Sequence, residues 1–317
     1  MMKTKYYYII FTLLVACDLG EVPVDPRPSG LLTTTTIEMM ENYQMQVYFD
    51  LYNNNLISEN LRTDWDLAFE SNSNGWKINI NSSKFMQVWE VDNQSFNYPL
   101  DLSNAIWRWD HQSGSPDSTA VGDYRNKESF YVIDRGYDND NSQIGYKKLN
   151  VESVNSDSYT IRLANIEGSI DTIIEIPKNL TDEKIYFSFN DYSIKNVEPT
   201  HWDLLFTTYT HLFSSNFPYL VSGVLTNTSH VKVVKDTIYH FDDISFDNIT
   251  NFDFSTDQNI IGYDWKSYDL NTGVFTINSS INYIIETNSQ KYFKLRFLDF
   301  YNENGTKGYP KFEYEEL

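Results

Sequence analysis

The chain has 317 residues and a net charge of −20; a surface this acidic repels phosphate backbones, which excludes a general nucleic-acid role. It carries one cysteine, so neither a disulfide framework nor a cysteine-built zinc site is open to it. Aromatic residues make up 16% of the chain, with 24 tyrosines and 20 phenylalanines, and Asn, Asp, Ser and Thr are abundant enough to supply turns, a composition that suits pleated strands.

Lys3 and Lys5 open the chain, an apolar run follows over residues 6–16, and Leu14-Val15-Ala16-Cys17 closes it. A basic start, a short apolar stretch and a small-residue processing site describe an export signal over residues 1–16. The run of about 11 residues is shorter than the roughly 20 that span a bilayer core. Cys17 in this setting resembles a bacterial lipobox, which implies cleavage before it and lipidation on it, so the mature protein would be anchored to a membrane without spanning it. Loss of Lys3 and Lys5 takes the net charge from −20 to −22, which leaves acyl chains as the membrane contact. Residues 17–30 carry Pro23, Pro26 and Pro28 and read as a semi-extended tether. The folded body is expected over 31–317.

Period-two alternation dominates that body. Residues 38–50 read as a strand through Tyr43, Met45, Val47 and Phe49, with a helical turn over 39–46 as the competing reading. Trp65, Leu67 and Phe69 alternate next, and Trp76, Ile78 and Ile80 resume after a turn cluster at 72–75. Strands are expected at 85–91, 130–133 and 146–151, then at 159–163, 170–176 and 185–189 with the rhythm of antiparallel meanders. Further strands fall at 202–209, 219–225 and 231–234, and 274–277 with 281–286 reads as a hairpin across 278–280. Phe293, Leu295 and Phe297 point one way, Lys294 and Arg296 the other. A short helix is expected within 242–256. The fold class is therefore all-β: antiparallel meandering sheets or a sandwich with few short helices. Trp65-Asp66-Leu67-Ala68-Phe69 is echoed by Trp202-Asp203-Leu204-Leu205-Phe206, which suggests two related halves with a boundary near 190–200.

No Gly-x-Ser-x-Gly elbow, Walker loop or His-Glu-x-x-His is present, and the scattered carboxylates single out no acid–base pair, so the chain is expected to bind and not to catalyse. Asp138-Asn139-Asp140-Asn141-Ser142 begins like a calcium loop, but Gln143 and Leu149 stand where such a loop needs Gly and Glu; a plain turn is expected. The histidines His111, His201, His211, His230 and His240 form no i, i+2 or i, i+4 pair. His211 ends a strand, shares a face with Tyr209 and precedes Phe213. An imidazole among aromatic walls suits the iron of a flat apolar macrocycle. His211 is accordingly the first candidate axial ligand, with His230, His201 or Met86 as the second and Tyr209, Phe213 and Tyr219 as pocket walls. The competing readings are an ordinary strand-end histidine and, for Met86, core packing. Arg108 between Trp107 and Trp109 either receives a ligand carboxylate or stacks on an indole.

Several segments, in order, resemble the HmuY-like family of Bacteroidetes lipoproteins. They are the lipobox at Cys17, Trp65-Asp66-Leu67-Ala68-Phe69, Tyr131-Val132-Ile133-Asp134-Arg135-Gly136 and Gly145-Tyr146-Lys147-Lys148. The longest run is His201-Trp202-Asp203-Leu204-Leu205-Phe206-Thr207-Thr208-Tyr209-Thr210-His211 with Pro218-Tyr219-Leu220-Val221-Ser222-Gly223-Val224-Leu225. Ile261-Gly262-Tyr263-Asp264-Trp265-Lys266 and Tyr292-Phe293-Lys294-Leu295-Arg296-Phe297 complete the set. The resemblance implies an all-β surface protein of the outer membrane that binds heme or a related tetrapyrrole and supplies it to a TonB-dependent receptor. It further implies iron held between two axial side chains, both His in some members and Met in others. A glycan-binding surface lipoprotein, and a structural or adhesion lipoprotein with no small ligand, are the alternatives.

Overall fold

The computed structural model describes residues 30–214 and 217–317; the expected signal, Cys17 and nearly all of the tether lie outside the described residues. Regular structure is almost all strand. The first half supplies β1 (Thr33–Thr36), β2 (Met45–Asp50), β3 (Asn55–Leu61), β4 (Leu67–Glu70), β5 (Ile78–Ile80), β6 (Gln87–Val91), β7 (Phe130–Asp134), β8 (Tyr146–Val154), β9 (Ser158–Asn165) and β10 (Thr172–Pro177). The second supplies β11 (Lys184–Ser188), β12 (Ser193–Lys195), β13 (Leu204–Phe213), β14 (Phe217–Thr226), β15 (Val231–Asp236), β16 (Lys266–Asp269), β17 (Val274–Ile277), β18 (Asn282–Thr287), β19 (Tyr292–Tyr301) and β20 (Lys307–Glu316).

Two sandwiches result. In the first, the sheet β10-β9-β8-β7-β6 faces β12-β11-β4-β5 over a core that includes Leu67, Phe69, Tyr131, Ile133, Tyr159, Ile161 and Phe187. In the second, β1-β20-β19-β18-β15 faces β14-β13-β2-β3 over Val47, Phe49, Leu204, Phe206, Tyr283, Leu295 and Phe312. The two inner sheets meet back to back on Tyr48, Ala68, Tyr186 and Trp202. Trp65 stands edge-on to Tyr186 at 4.8 Å and Trp202 edge-on to Tyr48 at 5.1 Å, the favoured geometry for two ring quadrupoles.

The inner sheets are copies of one pattern with the first hairpins exchanged. The order β14-β13-β2-β3 in one matches β5-β4-β11-β12 in the other, so each half lends its leading hairpin to the sheet of its sibling. Leu67 pairs with Phe187 and Leu204 with Phe49. The match holds bond by bond. The amides of Asp66 and Asp203 donate to the carbonyls of Phe187 and Phe49, and their own carbonyls accept from Asn81 and Asn227. Their carboxylates accept from the amides of Phe189 and Leu51. The Trp-Asp-Leu-x-Phe echo therefore marks a duplication, and its Asp is the clasp that ties each borrowed hairpin down.

The clasps differ in charge. Asp66 is fully buried and bonds Lys84 Nζ at 2.5 Å and Arg135 Nε at 3.0 Å. Three residues after Asn227, where Lys84 stands in the first copy, the second carries His230, which pairs with Glu183 at 3.5 Å. No lysine or arginine pairs with Asp203 among the described residues, and burial pushes its carboxyl up to about 6 against the pull of the Leu51 amide.

Three local expectations change. Residues 38–50 form a strand only over 45–50, because Met40 and Tyr43 take left-handed backbone angles (φ 61° and 54°) in a turn ahead of it. Strands 274–277 and 282–287 do not form a hairpin: β17 pairs with β16, while β18 lies between β15 and β19. The physical reason is burial. Tyr283 and Ile285 enter the second core, and Ile284 packs on the opposite face, so β18 belongs in the middle of a covered sheet. That cover is the segment expected to be a short helix, which forms two 3-10 turns, Phe241–Asp243 and Phe246–Asn251. It also buries Lys294, which pairs with Glu315. The loop at 138–142 is a turn in which the Asp138 carboxylate accepts from the amides of Asp140 and Ser142.

Candidate ligand-binding cleft

β13 and β14 pair along their whole length, with Tyr209 opposite Val221, His211 opposite Tyr219 and Phe213 opposite Phe217. Their far end leaves Phe213, Phe217 and Tyr219 exposed, at 37%, 63% and 58%. Large aromatic rings clustered in water at one hairpin tip mark a contact surface, because isolated exposure is ordinary but contiguous exposure is not. The β16–β17 hairpin rises opposite, with Tyr268 against Phe275 at 4.8 Å. Between the two lies a cleft of about 600 Å³ walled by Tyr43, Phe213, Tyr219, Tyr263, Tyr268 and Phe275, within the usual size range of small-molecule sites.

The geometry depends on two glycines. Val224 and Gly262 exchange backbone bonds, and a Cβ on Gly223 would stand 2.4 Å from the Gly262 carbonyl oxygen. Only a bare backbone at Gly223 admits this approach, and Gly262 itself sits at φ +60°. The approach delivers Tyr263 to the wall and Lys266 to the inside of the cleft.

His211 stands directly behind this wall. Its ring lies 4.7 Å from Phe213 and 5.0 Å from Tyr263, and its Nδ1 is buried with no hydrogen-bond partner. Burial holds the imidazole below its ordinary pKa; Asp264 opposes this and His111 adds to it. A neutral imidazole with an unused nitrogen is chemically equipped to bind a metal.

The other sequence candidates separate from it. His201 and His230 form their own pair, with ring centroids 6.0 Å apart, in a cleft of about 260 Å³ that also presents Asp182, Glu183 and Glu198. Seven residues of strand, at roughly 3.4 Å each, separate the start of β13 near His201 from His211, a span of about 24 Å. Neither His201 nor His230 can therefore share an iron with His211. Met86 is fully buried in the first core and is a packing residue. Tyr209 is buried beside His211 against Val221 and Leu225 and does not line the cleft, whereas Phe213 and Tyr219 do. Arg108 is bound to Glu90 at 3.0 Å.

Sequence reasoning missed Tyr43, Tyr263, Lys266, Tyr268, Phe275 and Lys307. The signal for the β16–β17 hairpin was present: short alternating runs flank a turn that ends on Gly273, at φ +72°. Among the described residues, no group of three or more His, Cys, Asp or Glu is placed to hold a metal ion, and no helix is long and apolar enough to cross a membrane.

A model described as HmuY protein matches twice, over residues 42–174 and 180–314, one match for each structural copy. No curated protein matches the chain. Among solved structures, apo PinO, given as from Porphyromonas gingivitis, is similar at 8% identity and a TM-score of 0.37, covering 90% of this chain and 97% of its own. An apo HmuY analogue from Tannerella forsythia is similar at 9% identity and a TM-score of 0.27, covering 93% and 99%. A Bacteroides vulgatus protein described as a putative HmuY-like heme-binding protein is similar at 15% identity and a TM-score of 0.21, covering 45% and 78%. With its two tandem matches spanning most of its length, the chain belongs to the HmuY family.

Proposed function

We propose that the protein is a non-enzymatic heme-binding lipoprotein that clasps its ligand in the aromatic cleft between the β13–β14 tip and the β16–β17 hairpin. The observation that carries this reading is the conjunction of an open cleft with six aromatic side chains in its wall and a buried, partnerless imidazole nitrogen behind Phe213. Flat rings stack on such walls. The charges agree: heme bears two carboxylates, and this cleft presents Lys266 and Lys307 against one acid, Asp264, which Lys235 pairs, while the His201–His230 cleft presents three acids against Lys184. Axial ligation by His211 requires the Phe213 ring to swing off the imidazole. Anchorage through Cys17 at the outer membrane, and transfer of the heme to a TonB-dependent receptor, complete the proposal.

Hemin titrated into the purified protein should saturate at one equivalent with a shifted Soret band. His211→Ala should weaken binding about tenfold, the loss of a single coordinate or charge-assisted contact, and change the Soret position. A flat titration, with the protein retained instead on immobilised polysaccharide, would overturn the heme reading in favour of a glycan binder.

A further inference from the structure

Lys266 is the least expected group in the cleft. It is buried, yet among the described residues its ammonium meets only one hydrogen-bond acceptor, the Ser222 carbonyl at 2.5 Å. Rings surround it: Trp265 at 4.2 Å, Phe300 at 4.6 Å and Phe275 at 5.7 Å. A lysine ammonium has three donors, so two have no partner among the described residues. The nearest carboxylate, Asp264, is taken by Lys235 at 2.5 Å. The other polar side chains on the cleft wall are the phenols of Tyr43, Tyr219, Tyr263 and Tyr268, the hydroxyls of Ser222 and Ser267, and Lys307. None of these is an anion at neutral pH.

We propose that Lys266 is a carboxylate anchor, and that the cleft selects flat aromatic ligands bearing a carboxylate over otherwise identical neutral ones. This rests on the cleft reading above. The ligand carboxylate would fill the two vacant donors in a charge-assisted pair, while the rings around the ammonium exclude water and keep the pair strong. Burial supports the same picture, since it lowers the Lys266 amine to about 7 despite Asp264. At pH 8 the free amine is then mostly neutral. A carboxylate beside it favours the ammonium, so binding draws a proton from solution.

The test compares hemin with hemin dimethyl ester on the full protein. The wild type should bind the diacid at least roughly tenfold tighter than the diester, and calorimetry at pH 8 in buffers of different ionisation enthalpy should show proton uptake approaching one per hemin. Lys266→Met keeps an unbranched stem without the ammonium; it should cut the diacid preference several-fold, leaving at most the share due to Lys307, and abolish the uptake. Equal binding of diacid and diester by the wild type, which needs no variant to fold, overturns the anchor and leaves the heme reading standing. So does a Lys266→Met protein that keeps the preference undiminished. Binding of neither form overturns both.

Discussion

Asp66→Asn is expected to destabilise the protein by about 3–5 kcal/mol, because it leaves Lys84 and Arg135 buried without their counter-charge. The melting temperature should fall on the order of 10 °C. Asp203→Asn, at the equivalent position of the second copy, should do the opposite at pH 7 and raise stability on the order of 2 kcal/mol. Here no lysine or arginine among the described residues repays the burial, the carboxyl is pushed up to about 6 despite His230, and an amide oxygen can still accept from the Leu51 N–H. The two clasps also titrate with opposite sign. Burial raises Asp66, but Lys84 and Arg135 outweigh it and hold the carboxyl below its ordinary value, so its contribution is present at neutral pH and is lost as pH falls through that lowered value. Asp203 is raised in the folded state, so its penalty grows as pH rises from about 4 to 6 and disappears below that window. Denaturant midpoints at pH 3, 4.5 and 7 check both: the Asp66 contribution should persist at pH 4.5 and begin to fall only below it. The gain from Asp203→Asn should be present at pH 7 and nearly gone at pH 4.5.

The joint substitution Phe213→Ala, Tyr219→Ala and Tyr268→Ala is expected to cut hemin affinity on the order of a hundredfold. Each ring contributes about 0.5–1.5 kcal/mol of stacking, and three such losses centre on about 3 kcal/mol where 1.4 kcal/mol is tenfold. The side chains are exposed on two hairpins, so stability should hardly change. Joint His201→Ala and His230→Ala should leave the affinity within about twofold, because those side chains line the separate acidic cleft. Titration followed at the Soret band distinguishes the two variants.

Much of the strand pattern was legible locally: β9 alternates Tyr159, Ile161 and Leu163 with Thr160 and Arg162, and β4, β7 and β11 are short apolar runs between turn formers. β3 and β20 were not, since Asn55–Leu61 and Lys307–Glu316 mix charges and turn formers into strands that the neighbouring strands hold in place. The duplication showed through five residues around Trp65 and Trp202. The hairpin exchange did not, because Val47-Tyr48-Phe49 and Ile185-Tyr186-Phe187 reveal their equivalence only once each is seen paired with its sibling's strand. His211, Phe213 and Tyr219 were legible as one candidate group because they are neighbours in a single hairpin. Tyr263, Lys266 and Tyr268 were not, because they reach the cleft through the Gly223–Gly262 approach, a long-range contact without a local signature.

Hydrogen exchange of the full protein with and without hemin tests the location of the site most directly. The account predicts slowed exchange at residues 209–226 and 261–277, on the two hairpins that flank the aromatic cleft. Protection confined instead to residues 181–184, 198–202 and 227–230, around His201 and His230, would contradict it.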